Sequence, residues 1–350
     1  MESYSAHHPV NEVLTRFAVD ATPGDQCIFD MVCPPLVVNA RTGTILKENV
    51  RNFAGPADVN IETAVGADRP MLSEHDRTSV TFSLKKYSLD LHIPIERVRF
   101  PEESQFPGDE EVRLAKRTSQ NVKRAIEAVA AGVINATGNW SNAALGSLAG
   151  GTQVKWDQAT AKPLFDLHVI AQLIRTNSGL GAKPDTVIMG HAVAVALMRN
   201  HEVRGLAGTL SAGLANAPAV VNMEALKAAV AMTIEISPDR VFIGSSRAAT
   251  SNAAQANVYA DQWGDYLWMG CLLGGDPLVV EQNGSVQVTT GPVAAVALTG
   301  GFGGGQVMQA FSYDNLPNGA ATRRHVAVDA YYQMKPLDTT LAYLVTDLVG

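Results

Sequence analysis

From Asp109 to Ala136 the apolar positions recur at the three- and four-residue steps of a helix. They are Val112, Ala115, Val122, Ile126, Val129 and Val133, with Ser119 as one weak rung. This spacing predicts one apolar stripe, with Arg113, Arg117, Gln120, Arg124 and Glu127 elsewhere on the helix surface. No proline interrupts the stretch, and Gly132 is its one glycine. Pro107-Gly108 breaks the chain before it, Asp109 can cap it, and Glu110 and Glu111 complement the positive end of the helix dipole. At a rise of about 1.5 Å per residue the helix would run roughly 40 Å, long enough to act as a beam under other elements.

Before it the period changes to two. Val80, Phe82 and Leu84 alternate with polar residues, and Leu89, Leu91 and Ile93 do so beyond Lys85-Lys86. This predicts long two-stranded β structure with one apolar face, which needs something to lie on. Residues 1 to about 40 show no clear periodicity until Cys27 to Val38, an extended apolar piece punctuated by Pro34-Pro35. After the beam, helices are expected over Lys162 to Asn177, Ala192 to Asn200 and Met223 to Met232. Strands are expected at Thr186 to Met189, Thr233 to Ile236 and Arg240 to Gly244, with a small-residue loop over 205–221. That alternation marks a compact layered α/β unit. The remainder is β: Ala256 to Ala260, Leu278 to Glu281, Val286 to Thr289 and a long strand at Arg323 to Met334, followed by an apolar tail, Thr340 to Val349, that returns to the core.

Composition narrows the function. Of 350 residues only 17% are charged and 46% are hydrophobic, with abundant Ala and Gly. A surface so lean in charge suits contact with other proteins. The formal net charge of -7 argues against tight non-specific nucleic-acid binding. Three scattered cysteines, Cys27, Cys33 and Cys271, make no disulfide framework and are expected as free thiols. The opening MESYSAHHPVNE is no signal peptide, no apolar run is long enough to span a membrane, and a soluble intracellular product is expected.

The search for chemistry ends mostly in absences. His201-Glu202 begins like a zinc-protease motif, but Gly205 stands where the second histidine is required. Gly244-Ser245-Ser246-Arg247 lacks the closing glycine of a nucleophile elbow. The glycines at 300–305 have no following Lys-Ser and open no helix. His191 sits at a strand-to-helix junction without a partner pattern, and Asp261, Asp265 and Asp276 are not spaced as an EF-hand. No catalytic residue, metal ligand or cofactor is expected. The mixed-sign tract Asp68, Arg69, Glu74, His75, Asp76 and Arg77 reads either as a solvated loop or as a projecting surface that sets register with a neighbouring subunit.

The order of elements, an arm, a projecting β loop, one long helix, a compact α/β unit and a late long strand, resembles the major capsid protein of tailed bacteriophages, the Hong Kong 97-type shell fold. Three stretches carry the likeness. The first runs from Gly181 through Lys183-Pro184-Asp185-Thr186-Val187-Ile188-Met189-Gly190 to Val193, Leu197, Asn200-His201 and Val203. The second is Arg240-Val241-Phe242-Ile243-Gly244. The third is Val326-Ala327-Val328-Asp329-Ala330-Tyr331-Tyr332 leading through Lys335-Pro336. The resemblance implies an α+β fold laid out as an N-terminal arm and the start of a peripheral domain over 1–52, an extended loop over 53–98 and a peripheral domain over 99–160 containing the spine helix 109–136. An axial domain would follow over 161–305, then return strands of the peripheral domain over 306–337 and a C-terminal strand over 338–350 returning to the axial domain.

The same resemblance implies a structural, non-enzymatic coat protein that assembles with itself into hexamers and pentamers of an icosahedral virion shell around double-stranded DNA. A portal, a separate scaffolding protein and a decoration protein are its expected partners, with no membrane. Some relatives crosslink a loop lysine to a neighbour's asparagine. Lys85 and Lys86 lie in that region, but no motif carries the chemistry over. Candidate intersubunit contacts are Asp68, Arg69, Glu74, Asp76, Arg77, Lys85 and Lys86. Candidate inner-face basic residues of the spine helix are Arg113, Lys116, Arg117, Lys123 and Arg124. Two other readings compete: an encapsulin-like compartment with the same fold, and an α/β metabolic enzyme with an unrecognised site. Deleting Ala67 to Arg77 is expected to leave a folded subunit that assembles poorly, scored by circular dichroism and sedimentation. Loss of soluble folded protein would argue against an intersubunit role for the tract.

Overall fold

The computed structural model describes residues 10–21, 27–48, 77–94, 110–179, 181–210, 221–249, 259–272, 278–282, 285–301, 308–315 and 323–350. In chain order the elements open with α1 (Glu12–Asp20), α2 (Phe29–Val32), β1 (Leu36–Val38), β2 (Thr42–Glu48), β3 (Arg77–Ser83), β4 (Lys85–Pro94) and the long helix α3 (Glu110–Ile134). The α/β stretch comprises β5 (Ser141–Ala144), α4 (Pro163–Asn177), β6 (Thr186–Gly190), α5 (His191–Arg199), α6 (His201–Leu210), α7 (Met223–Ile234) and β7 (Val241–Gly244). The rest is β8 (Arg247–Ala249), β9 (Tyr259–Asp261), β10 (Leu267–Gly270), β11 (Leu278–Gln282), β12 (Ser285–Thr290), β13 (Ala295–Gly300), β14 (Met308–Asn315), β15 (Arg323–Pro336) and β16 (Ala342–Thr346).

The long helix lies on a sheet built around β15. One edge of β15 pairs antiparallel with β4 over ten residues; its other edge pairs with β14 and then β13, which carries β1 in parallel. Val326, Val328, Ala330, Tyr332 and Met334 of β15 point to the helix and share a core with Ala115, Val122 and Ile126. Toward its C-terminus the buried line of the helix follows Ala130 and Ile134, while the expected rungs Val129 and Val133 are only half-buried. A straight helix has 3.6 residues per turn, so a stripe stepping at 3.5 drifts off its partner.

Strands β3 and β4 do not pair with each other, contrary to the two-stranded expectation. β3 pairs with β2 in a sheet ordered β11-β12-β2-β3, whereas β4 joins β15. The phase of the pattern explains it. Val80, Phe82 and Leu84 are even-numbered and Leu89, Leu91 and Ile93 odd, so the buried face changes sides between Leu84 and Lys85. Phe82 and Leu84 belong to a separate small core with Ile45, Val286 and Val288. Gly43 sits opposite Val286 in the parallel β2–β12 pair, where a Cβ would meet the Val286 carbonyl and the Phe82 ring.

The third sheet is ordered β5-β16-β10-β6-β7, with α4 to α7 packed about it. The sheet draws its strands from beyond the span 161–305, and not every strand in that span belongs to it. β5, earlier in the chain, lies in this sheet, and β11, β12 and β13 lie in the other two. Three local expectations are corrected. Residues 12–20 form a helix capped by the Asn11 side chain, and 29–32 a short helix within the segment expected to be extended. Helix α6 occupies the start of the expected small-residue loop. The strand expected at Thr233 to Ile236 is absent: α7 runs to Ile234 and ends on Glu235 in the left-handed conformation (φ 59°). Its apolar run is buried on a helix face, and a short run of that kind fits either element.

Asp338 closes the crossover from β15 to β16. It receives the Lys47 ammonium of β2 at 2.5 Å and the Thr340 amide and hydroxyl at 2.9 and 2.7 Å, with both ionic side chains largely buried. Burial pushes its carboxyl up, but the bonds from Lys47 and Thr340 outweigh it and the net shift is down from 3.8. Its stabilisation is therefore present above pH 3.8 and lost as pH falls through the lower folded value. Asp338→Asn should cost about 1–3 kcal/mol at pH 7, and the gap from wild type in urea melts should shrink below pH 3.8.

Candidate functional site

The chemistry-bearing residues singled out in the sequence are mostly engaged in holding the fold. Glu202 accepts from the Leu164 amide at 2.8 Å and so caps α4, and Asn200 caps the turn into α6 through the Glu202 amide at 2.9 Å. Ser246 donates to the Gln262 side chain at 2.8 Å. Burial raises the thiols of Cys27 and Cys271 to about 12 and of Cys33 to about 11, which leaves them protonated and weakly nucleophilic. Among the described residues no group of three or more His, Cys, Asp or Glu is arranged to hold a metal ion. An open apolar recess of about 800 Å³ lies beside α4 and α6, lined by Ala159, Lys162, Leu164, His201, Glu202 and Leu206.

The polar contacts that join distant segments of the chain gather instead on the long helix. Arg113, Lys116, Arg117 and Arg124 are solvent-exposed on it. Arg113 pairs with Glu110 one turn away at 2.9 Å, and the Lys116 ammonium lies 5.2 Å from the Phe17 ring centre. Lys123 is different, being half-buried. Its ammonium donates to the carbonyls of Val19 (2.9 Å) and Ala21 (2.7 Å), the C-terminal end of α1. A cation there satisfies carbonyls that a helix end leaves open. One turn back, Ser119 donates to Ala18 O at 2.5 Å, so the weak rung of the stripe is a docking point for α1.

Glu127, expected on the surface, is fully buried. The Ile28 amide donates to both its oxygens at 3.1 Å, the Phe29 amide to Oε2 at 2.9 Å and the Trp263 indole to Oε1 at 2.7 Å. One carboxylate thereby joins the N-terminal segment, the spine helix and the loop before β10. Trp263 reaches that position because Gly190 and Gly244, opposite each other in β6 and β7, carry no side chain. A Cβ at Gly190 would strike the backbone of Trp263 and Gly264, and at Gly244 the Trp263 ring. Asp166 repeats the device, buried and accepting from Thr152 N–H and Oγ1 at 2.6 Å each and from the Trp156 indole at 2.9 Å.

Of the other candidate contacts, Asp68, Arg69, Glu74 and Asp76 lie outside the described residues, as does the Arg77 side chain. Lys85 is exposed at the start of β4. Lys86 pairs within the chain with Asp329 at 2.7 Å. The sequence offered no signal for this pair, because β4 and β15 are remote in the chain.

No protein-family model matches the sequence, and no curated protein matches it. Solved structures do. A phage-related protein of Bordetella bronchiseptica is 16% identical, with a TM-score of 0.65 over 97% of this chain and 98% of that one. The capsid of cyanophage P-SCSP1u gives 8% and 0.51 over 91% and 87%. A virus-like particle of Pyrococcus furiosus gives 9% and 0.51 over 96% and 98%. The α+β architecture is the Hong Kong 97-type capsid fold.

Removing the Glu127 charge tests the junction. Glu127→Gln keeps one acceptor but turns an amide donor toward N–H groups, and should cost about 2–4 kcal/mol in denaturant melts. Burial raises the Glu127 carboxyl above the ordinary carboxylate range, against the bonds from Ile28, Trp263 and Phe29. The contribution from this shift is therefore fully present below the unfolded carboxylate pKa and lost as pH rises through the folded value. Glu127→Gln should flatten that part of the stability–pH profile.

Proposed function

We propose that this chain is the major capsid protein of a tailed bacteriophage: a structural, non-enzymatic subunit that assembles with itself into hexamers and pentamers of an icosahedral head enclosing double-stranded DNA. The observation that carries the reading is the likeness of nearly the whole chain, 97% of it at a TM-score of 0.65, to a phage-related protein. Low charge and abundant small residues support it, because a shell subunit turns much of its surface to copies of itself, burying upward of about 1,200 Å² per stable interface. Its place is the virion, after assembly in the host cytoplasm, with a portal, a scaffolding protein and, on some shells, a decoration protein as partners. In this reading Arg113, Lys116, Arg117 and Arg124 face the packaged DNA or the scaffold.

The division of the chain into arm, extended loop, peripheral domain and axial domain belongs to the same proposal. Its loop sheet comprises β2, β3, β11 and β12, its peripheral sheet surrounds β15, and its axial sheet is closed by β16. A second reading, an encapsulin-like compartment with a protein cargo, is favoured by the likeness to the Pyrococcus furiosus virus-like particle.

Electron microscopy of the purified protein is the test. Closed shells, or rings of five and six, are the expected result, whereas a small compact oligomer without rings would overturn shell assembly. Nuclease-protected DNA in shells isolated with the packaging components would favour the head, and a single co-purifying protein cargo without DNA the compartment.

A further inference from the structure

The face of the β15 sheet turned away from the spine helix carries a cluster of imidazole, carboxylate and phenol groups. In the antiparallel pairing of β4 with β15, His92 lies directly opposite His325. The two imidazole centres are 5.5 Å apart with their planes at 36°. Two imidazoles sharing one zinc ion through bonds of about 2.1 Å place their ring centres about 5 Å apart, so the observed spacing is close to that of a chelating pair.

The surroundings orient one of the two rings. His325 Nδ1 lies 2.9 Å from Asp90 Oδ2, the oxygen that also accepts from the Tyr313 hydroxyl at 2.7 Å. Tyr313 stacks on the His325 ring at 5.0 Å and 10°. A carboxylate on Nδ1 selects the tautomer that donates there and leaves a bare lone pair on Nε2, the arrangement that raises the basicity of a metal-binding histidine. His325 Nε2 is buried and has no hydrogen-bond partner among the described residues, a state that costs free energy until something occupies the lone pair. His92, opposite His325 in the ladder, is exposed.

We propose that His92 and His325 form a two-imidazole site for a divalent transition-metal ion of the zinc class. Water completes the coordination, and Asp90 acts as the positioning residue behind His325. The site clips the C-terminal end of β4 to the start of β15.

The test is calorimetric titration with Zn²⁺ of untagged protein in which His7 and His8 are replaced by Ala, so that the adjacent imidazoles in MESYSAHH do not contribute. The expected result is one saturable ion per chain, weakened at least tenfold by His92→Ala and by His325→Ala. Asp90→Asn should weaken it about 10–100-fold, the usual effect of losing a carboxylate behind a metal-bound histidine. In EDTA the His92→Ala protein should melt with its parent, because that ring is exposed. No saturable zinc binding in the parent would overturn the site. So would binding of equal affinity in folded His92→Ala protein.

Discussion

A carboxylate buried without a lysine or arginine partner is a constraint that a fold must answer, since charge taken out of water is stabilised only by donors fixed around it. Glu127 is answered by two backbone amides at the start of α2 and by the indole of Trp263. Those donors come from segments about a hundred residues before it and more than a hundred after it. The helix is therefore placed by a polar junction as much as by its apolar stripe. The N-terminal segment cannot leave the helix without stranding the charge, and the loop before β10 cannot shift without removing a donor. Ser119 and Lys123 extend the same logic along the helix by holding the last carbonyls of α1.

Around that junction the three main sheets are joined by strands that change partners. β3 and β4 are nearly continuous in sequence but serve different sheets, and β15 passes from β14 to β13 along one edge while β4 holds the other. Lys47 with Asp338 and Lys86 with Asp329 sit where such strands meet. Ion pairs of this kind are partly withdrawn from solvent and geometrically fixed, so they fix register more than they add stability.

The spine helix is polarised in use. Its inward side is shared between the β15 sheet and the N-terminal segment, and its exposed side carries Arg113, Lys116, Arg117 and Arg124. Exposed arginines and lysines on an otherwise acidic chain give a local field of opposite sign to the net charge. The opposite face of the sheet holds a different inventory of imidazole, carboxylate and phenol, set by the pairing of β15 with β4 on one edge and β14 on the other.

What the sequence determined by itself was whatever depends on short-range periodicity. The long helix, the late long strand and the α/β alternation were legible because 3.6- and 2-residue periods are written locally, and the Hong Kong 97-type fold was legible only through the family resemblance of three stretches, Gly181 to Val203, Arg240 to Gly244 and Val326 to Pro336. The phase change between Leu84 and Lys85 was also written there, although alternation alone reads as one hairpin. Only the tertiary structure decided which strands pair, because register between β4 and β15 or between β2 and β12 joins residues that are far apart in the chain. It also decided the roles of Glu127, Lys123 and Lys86. A charged residue on a helix or strand reads as solvated until a distant segment supplies its partners, and that pairing has no local signature.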